Sequence, residues 1–279
     1  MAGLNKEVWL ADIKEQFIPN TSFISATTDM SAWVENDTIN LAEAGIEPNV
    51  LINNATYPVA ISDRADAPIA LTLDVYDTEN VRLRNAELVE LAYDKRTSVM
   101  NQMRNALVKK IARKAAWMYT PATTDATKAN KVVSLGAATF DFDVIIDAAN
   151  FYDEVDATED RVMVLSPAHM ASLRKVDSKL YKEILNKPGT NLYGFDMYTY
   201  SQMPKFSSAG VKNAFGAASA GTDLNSTCAF LKSEVMSALG SIDLFDRLRD
   251  PEARADVIGL QQRALVSSIR GKFQYAILK

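Results

Sequence analysis

Side chains able to carry covalent or acid–base chemistry are scarce in this sequence: His169 and Cys228 are each the only residue of their type among 279. A histidine base needs a nucleophile and an orienting carboxylate within hydrogen-bond reach. The residues around His169, just after Pro167 at the start of a helical pattern, designate neither, so a structural histidine is expected. Cys228 precedes an apolar run and reads as a small packed hydrophobe. One cysteine and one histidine exclude an internal disulfide, a Cys/His zinc site and a two-histidine metal centre. Oxygen ligands remain, and Asp141, Asp143, Asp147, Asp153, Glu154, Asp156, Glu159 and Asp160 gather in one stretch of the kind that binds hard cations. On a helix and its flanking loop the same acids also read as a solvated face. Gly216 and Gly221 have the spacing of a phosphate-binding loop, but Thr222 and Asp223 stand where its lysine and hydroxyl residue belong. No G-x-G-x-x-G, G-x-S-x-G or H-E-x-x-H occurs. The expectation is a protein without catalytic residues, cofactor or metal ligands.

The other chemistry-bearing feature is a basic series. Lys95, Arg96, Arg104, Lys109, Lys110, Arg113 and Lys114 follow one another with no acid among them. Positions 109 and 113 are four apart, as are 110 and 114, so on a helix each pair shares a face. The series is either a solubilising face or a surface turned towards phosphate. A net charge of −5, from 30 Lys and Arg against 35 Asp and Glu, excludes a protein that coats nucleic acid with its whole surface. With 48% apolar and 23% charged residues the chain is an ordinary globular one. No apolar run is long enough for a membrane span, and the start lacks a basic region followed by an apolar core. The sequons at Asn20, Asn36, Asn54 and Asn225 therefore carry no inference.

These residues must be positioned by recognisable elements. Leu4, Val8, Trp9, Ile13, Phe17 and Ile18 have the spacing of a short amphipathic helix closed by Pro19. Trp33, Val34, Ile39 and Leu41 lack helical period and suit short strands or irregular structure. Tyr57, Val59 and Ile61 alternate with other residues, and so do Ile69, Leu71, Leu73 and Val75, which predicts two strands joined as a hairpin through the polar residues 62–68. From residue 85 to 119 there is no Gly or Pro, and Leu88, Leu91, Val99, Met103, Leu107, Ile111, Ala115 and Met118 hold one face. This predicts a helix of about 50 Å ended by Thr120 and Pro121. Residues 142–152 read as a helix, 161–165 as a buried strand, 168–175 as a helix continued at 179–185, and 193–200 as a strand. Residues 207–222, rich in Ser, Ala and Gly, read as a loop. Residues 229–239, 257–269 and 273–278 read as closing strands, interrupted by a charged turn at 246–254.

In this order the elements resemble the major capsid protein of tailed phages, the Hong Kong 97-type coat fold, an α+β architecture. The strand-turn-helix Val162-Met-Val-Leu-Ser-Pro-Ala-His-Met-Ala-Ser-Leu-Arg174 and the stretch Leu192-Tyr-Gly-Phe-Asp-Met-Tyr198 followed by Met203-Pro204 carry the likeness most directly. The resemblance implies an N-arm and lead-in over 1–44, an extended loop (E-loop) hairpin over 45–80, and a peripheral domain over 81–135 with a spine helix at 85–119. An axial domain over 136–255 and return strands over 256–279 complete it. The arm begins almost at Met1, so scaffolding is expected to be separate or absent. Residues 45–80 contain no lysine, so no lysine-to-asparagine cross-link is expected from the E-loop.

The function so implied is a virion shell subunit, assembled in a bacterial cytoplasm as hexamers and pentamers around double-stranded DNA. Separate scaffolding, portal or decoration proteins are conceivable partners; no membrane is. Trp9, Phe17, Val59, Ile61, Leu71 and Leu73 are expected between subunits, since the alternating hairpin positions have no evident partner within the chain. Arg104, Lys109, Lys110, Arg113 and Lys114 are expected to face the lumen and bind DNA without sequence preference. Two alternatives remain. Encapsulin shells share the fold and enclose enzymes, although the basic spine favours DNA, and a small α/β enzyme with a cation site between Asp141 and Asp160 is a reading from another class.

Overall fold

A computed structural model describes residues 20–35, 37–45, 49–59, 61, 63–84, 95–157, 159–179, 189–250 and 255–279. The arm with Trp9 and Phe17, the first ten residues of the expected spine helix and the helical continuation at 180–185 lie outside the described residues.

The described part of the long helix, α1, is Lys95–Tyr119, 25 residues of strong helix formers without Gly or Pro. It ends where Thr120 donates its hydroxyl back to the Ala116 carbonyl at 2.7 Å and Pro121 forbids another turn. Lys212, from a distant loop, donates its ammonium to the carbonyls of Trp117 at 2.7 Å and Thr120 at 2.6 Å. A cation is thereby fixed on the negative end of the helix dipole. It lies 4.1 Å from the Trp117 ring centre, and burial lowers its pKa to about 8.

α1 packs on a five-stranded sheet. Its backbone is the hairpin of β12 (Val235–Asp250) and β13 (Ala255–Ser268), paired antiparallel. β1 (Thr28–Asp29) adds to β12 in parallel, while β4 (Asp74–Asp77) and β5 (Val81–Arg84) pair with successive stretches of β13. Thr78 bridges them, taking the Leu260 amide on its hydroxyl at 2.8 Å and giving its own amide to the Leu260 carbonyl at 2.9 Å. A register shift separates Leu239 from Ile242. Gly240 lies in that bulge, where a Cβ would meet the Arg263 carbonyl oxygen at 2.9 Å. Met103 and Leu107, 6% and 3% exposed, pack against Leu83, Ile258 and Leu260. Val99, one turn before Met103, packs against the same cluster only partly buried.

Further along, α1 presents Ile111, Ala112, Ala115, Ala116 and Tyr119 to a second core with Val162, Val164, Phe230 and Val235. The run of alanines lets the helix approach closely. Val162 and Val164 belong to β7 (Arg161–Leu165), whose five residues are all buried. Met163 and Leu165, pointing the other way, meet Ile145, Tyr152 and Leu173. Those come from α2 (Phe142–Glu154) and α3 (Pro167–Val176). The middle layer thus lies between α1 on one side and α2 and α3 on the other, which is why β7 is apolar at every position but Arg161. The seven-stranded sheet runs β6 (Lys131–Ser134), β14 (Gln274–Leu278), β11 (Leu224–Leu231), β7, β9 (Phe195–Thr199) and β8 (Thr190–Leu192), with β10 (Lys205–Phe206) also on β11. Tyr193 and Gly194, at φ 50° and 83°, form the tight turn from β8 to β9.

Three expectations are corrected. The hairpin partner of β3 (Ala67–Thr72) is β2 (Thr38–Glu43), not the stretch with Tyr57, Val59 and Ile61, none of which lies in a strand. The charged stretch at 246–250 continues β12, and Asp250 pairs with Ala255. The expected domain limits also divide sheets. Residues 235–250, assigned to the axial part, belong to the sheet under α1, while β6 and β14, assigned to the peripheral part, pair with each other in the seven-stranded sheet.

Candidate functional site

The reactive residue types turn out to be structural. Cys228 is buried, and burial raises its thiol to about 12. His169 stacks on Phe140 at 4.5 Å with an interplanar angle of 4°, and its Nδ1 lies 2.7 Å from the Thr227 hydroxyl. The acids between 141 and 160 are distributed: Asp141 caps α2 by accepting the Val144 amide, and Asp153 pairs with Arg161 at 2.6 Å. Among the described residues no three His, Cys, Asp or Glu side chains come together as a cation site.

Burial lowers the His169 pKa from 6.5 to about 4, with Lys279 adding a smaller effect of the same sign. The folded protein therefore resists protonation that the unfolded chain accepts. The contribution of His169 to stability is expected to be full above pH 6.5, to fall between 6.5 and 4, and to be lower by about 3 kcal/mol at the end of that window. Urea midpoints across this range should fall more steeply for the natural chain than for His169→Gln.

The candidate association surface begins with β2 and β3. Among the described residues this two-stranded ribbon has no ladder to either large sheet. Its base is anchored by Ile39, 1% exposed, packed with Met236, Ala238 and Leu265. Leu71 and Leu73 join that cluster, half-buried. They have intrachain partners, contrary to the expectation that they lie against a neighbour. Glu43 at the end of β2 accepts the Lys272 ammonium at 2.5 Å and approaches Arg270 at 4.0 Å. The neck is narrow at Gly45, where a Cβ would stand 2.5 Å from the Ala65 carbonyl oxygen. Gly45 also donates its amide to Asp66 at 2.8 Å.

Beyond the neck the apolar residues are uncovered. Val50 is 89% exposed, Ile52 85%, Tyr57 76% and Ile61 95%, with Leu51 and Val59 about half exposed. Exposed aliphatic residues at this density mark an interaction surface. Val59 and Ile61 were anticipated; Val50, Leu51 and Ile52 were missed. The signal was present as an apolar triplet between Pro48-Asn49 and Asn53-Asn54. A second uncovered set, Leu239, Ile242, Leu244 and Phe245, lies on β12.

The basic residues of α1 divide. Lys110 and Lys114 place Nζ 5.2 Å from the Phe215 ring centre, and Arg113 places its guanidinium carbon at 5.9 Å. Lys110 and Lys114 border a groove of about 820 Å³ together with Val99, Met103 and Leu107. They therefore flank the apolar stripe instead of opposing it. Lys109 shares a face with Arg113 by spacing, whereas Arg104 lies about 120° round the helix from Lys110. The role of Phe215 and Trp117 as the aromatic floor of this cluster was not legible, because it depends on a loop returning from a hundred residues away.

No family model matches the chain, and no curated protein matches it. Solved structures do. A chain of Mycobacterium phage Che8 superposes with a TM-score of 0.72 at 14% identity, over 99% of this chain and 98% of that one. The acid-stable capsid of Helicobacter pylori bacteriophage KHP30 gives 0.70 at 10% identity, over 100% and 96%. The capsid of cyanophage P-SCSP1u gives 0.69 at 15% identity, over 98% and 92%. Each likeness extends over almost the full length of both chains and is one of fold alone. The protein has the Hong Kong 97-type fold of phage capsid chains.

Proposed function

We propose that this chain is the major coat subunit of a phage-type shell, assembling with copies of itself as hexamers and pentamers around double-stranded DNA. The observation that carries the reading is the loop tip: six apolar side chains held beyond a narrow neck, Val50, Ile52, Tyr57 and Ile61 largely exposed and Leu51 and Val59 about half exposed. A surface of that kind in a monomer costs solubility and is explained by burial against a neighbouring copy. The work of such a protein is association, and it requires no reacting group. Sedimentation of the purified protein tests the reading. Particles of megadalton mass are expected, and a stable 30.7 kDa monomer at high concentration would contradict it.

The lumen assignment concerns Arg104, Lys109, Lys110, Arg113 and Lys114. The cation cluster at Phe215 supports it, since Asp74, 4.0 Å from Lys114, is the one carboxylate paired with its lysines among the described residues. Changing Lys109, Lys110, Arg113 and Lys114 together to Gln should leave shells able to form while reducing their DNA content. Contacts of this type read no base edges and weaken with salt. Equal DNA content in variant and natural shells would remove the assignment.

A further inference from the structure

We propose that the cavity of about 290 Å³ between the C-terminal half of α1 and the loop 213–219 is a phosphate-binding pocket. Its charged lining residues are Arg113 and Lys205, accompanied by Gln202, Ser219 and Gly216, and no carboxylate lines it among the described residues. Phe215 forms one wall, and the same ring carries Lys110 and Lys114 at 5.2 Å. Lys110 and Lys114 do not line the pocket but add positive potential beside it. Among these cations Asp74 pairs with Lys114, at 4.0 Å, and it also accepts from the Tyr76 hydroxyl at 3.5 Å. Asp223, the loop's own acid, already accepts from the Asn213 side chain and the Ala220 amide, each at 2.8 Å.

Glycines 216 and 221 have the spacing of a phosphate-binding loop that lacks its lysine. The fold supplies the missing charge from elsewhere: Arg113 from α1 and Lys205 from β10. Gly216 sits at φ 84°, the left-handed conformation in which a turn can aim backbone N–H groups at an anion. A phosphate suits the lining better than a carboxylate, because it offers oxygens in three directions to an arginine fork, a lysine and the Gln202 amide at once. The volume, at the low end for ligand sites, admits a phosphate or diphosphate and not a whole nucleotide chain. The source of the phosphate is either a nucleic-acid backbone laid across the rim or a free phosphorylated small molecule. The assignment rests on the pocket's own chemistry and stands or falls apart from the shell reading.

Titration calorimetry of the full-length protein with pyrophosphate, small enough to enter an assembled particle, tests it. One saturable site per chain is expected, weakened at least about tenfold in Arg113→Gln/Lys205→Gln and unchanged in Lys175→Gln on α3. Should the double variant fold poorly, Trp117 emission in a Trp9→Phe/Trp33→Phe chain supplies a local reading, and pyrophosphate should alter it saturably. A short DNA duplex that displaces pyrophosphate, with a salt dependence of several counterions, identifies the backbone as the source. A duplex without effect identifies a free phosphate compound. No saturable pyrophosphate binding, binding indifferent to the double variant, or polyglutamate competing equally at matched charge would each overturn the proposal.

Discussion

Ile52→Asp/Ile61→Asp is expected to leave the subunit folded and to abolish particle formation. Both side chains are almost wholly exposed, 85% and 95%, so neither contributes to the core, and circular dichroism and urea unfolding should match the natural chain. In the proposed shell the same two positions would be buried against a neighbour. Each then loses about 1.5 to 3 kcal/mol of apolar burial, and each aspartate carries a further cost of several kcal/mol as an unpaired buried charge. Every subunit repeats the contact, so the penalty multiplies across the shell. Light scattering should report only small species. Assembly at the natural concentration would show that the loop tip is not an interface.

Leu107→Ala should lower subunit stability by about 2 to 5 kcal/mol. Leu107 is 3% exposed in the middle of the seam between α1 and the five-stranded sheet, where Leu83, Ile258 and Leu260 are fixed by ladders that limit collapse into the cavity. A helix of this length depends on its packed stripe for most of its stability. Urea unfolding in the non-assembling background of the first variant measures the loss without interference from the shell. Val108→Ala, at an exposed neighbouring position, is the control and should fall within about 0.5 kcal/mol of the parent.

Where the physics is local, the sequence was legible. α1 follows from a helical period unbroken by Gly or Pro. β7 follows from an unbroken apolar stretch, Val162 to Leu165, short enough only for a strand, and α3 from Pro167 behind the capping Ser166. The errors occurred where pairing is non-local. Tyr57, Val59 and Ile61 alternate as a strand would, yet they are the uncovered tip of a loop, while the true partner of β3 is Thr38–Glu43, across more than twenty intervening residues. Alternation reports an apolar face and not which strand lies beside it. The stretch from Asp246 to Asp250 looked like a turn because of its charges. In that end of the sheet β12 pairs only with β13, and an edge tolerates charge where a central strand would not. At the candidate site the loop residues Val59 and Ile61 and the lysines of α1 were named in advance. Their aromatic partner Phe215 was not, because nothing in a glycine- and alanine-rich loop indicates which helix it will cover.

The central claim is that the uncovered loop tip belongs to a neighbouring copy. Cryo-electron microscopy of the assembled particle tests this most directly. The account predicts a closed shell of many copies in which residues 49–61 lie on an adjacent subunit and bury Val50, Ile52, Tyr57 and Ile61 there. A particle in which that loop remains solvated, or folds back onto its own chain, would contradict it.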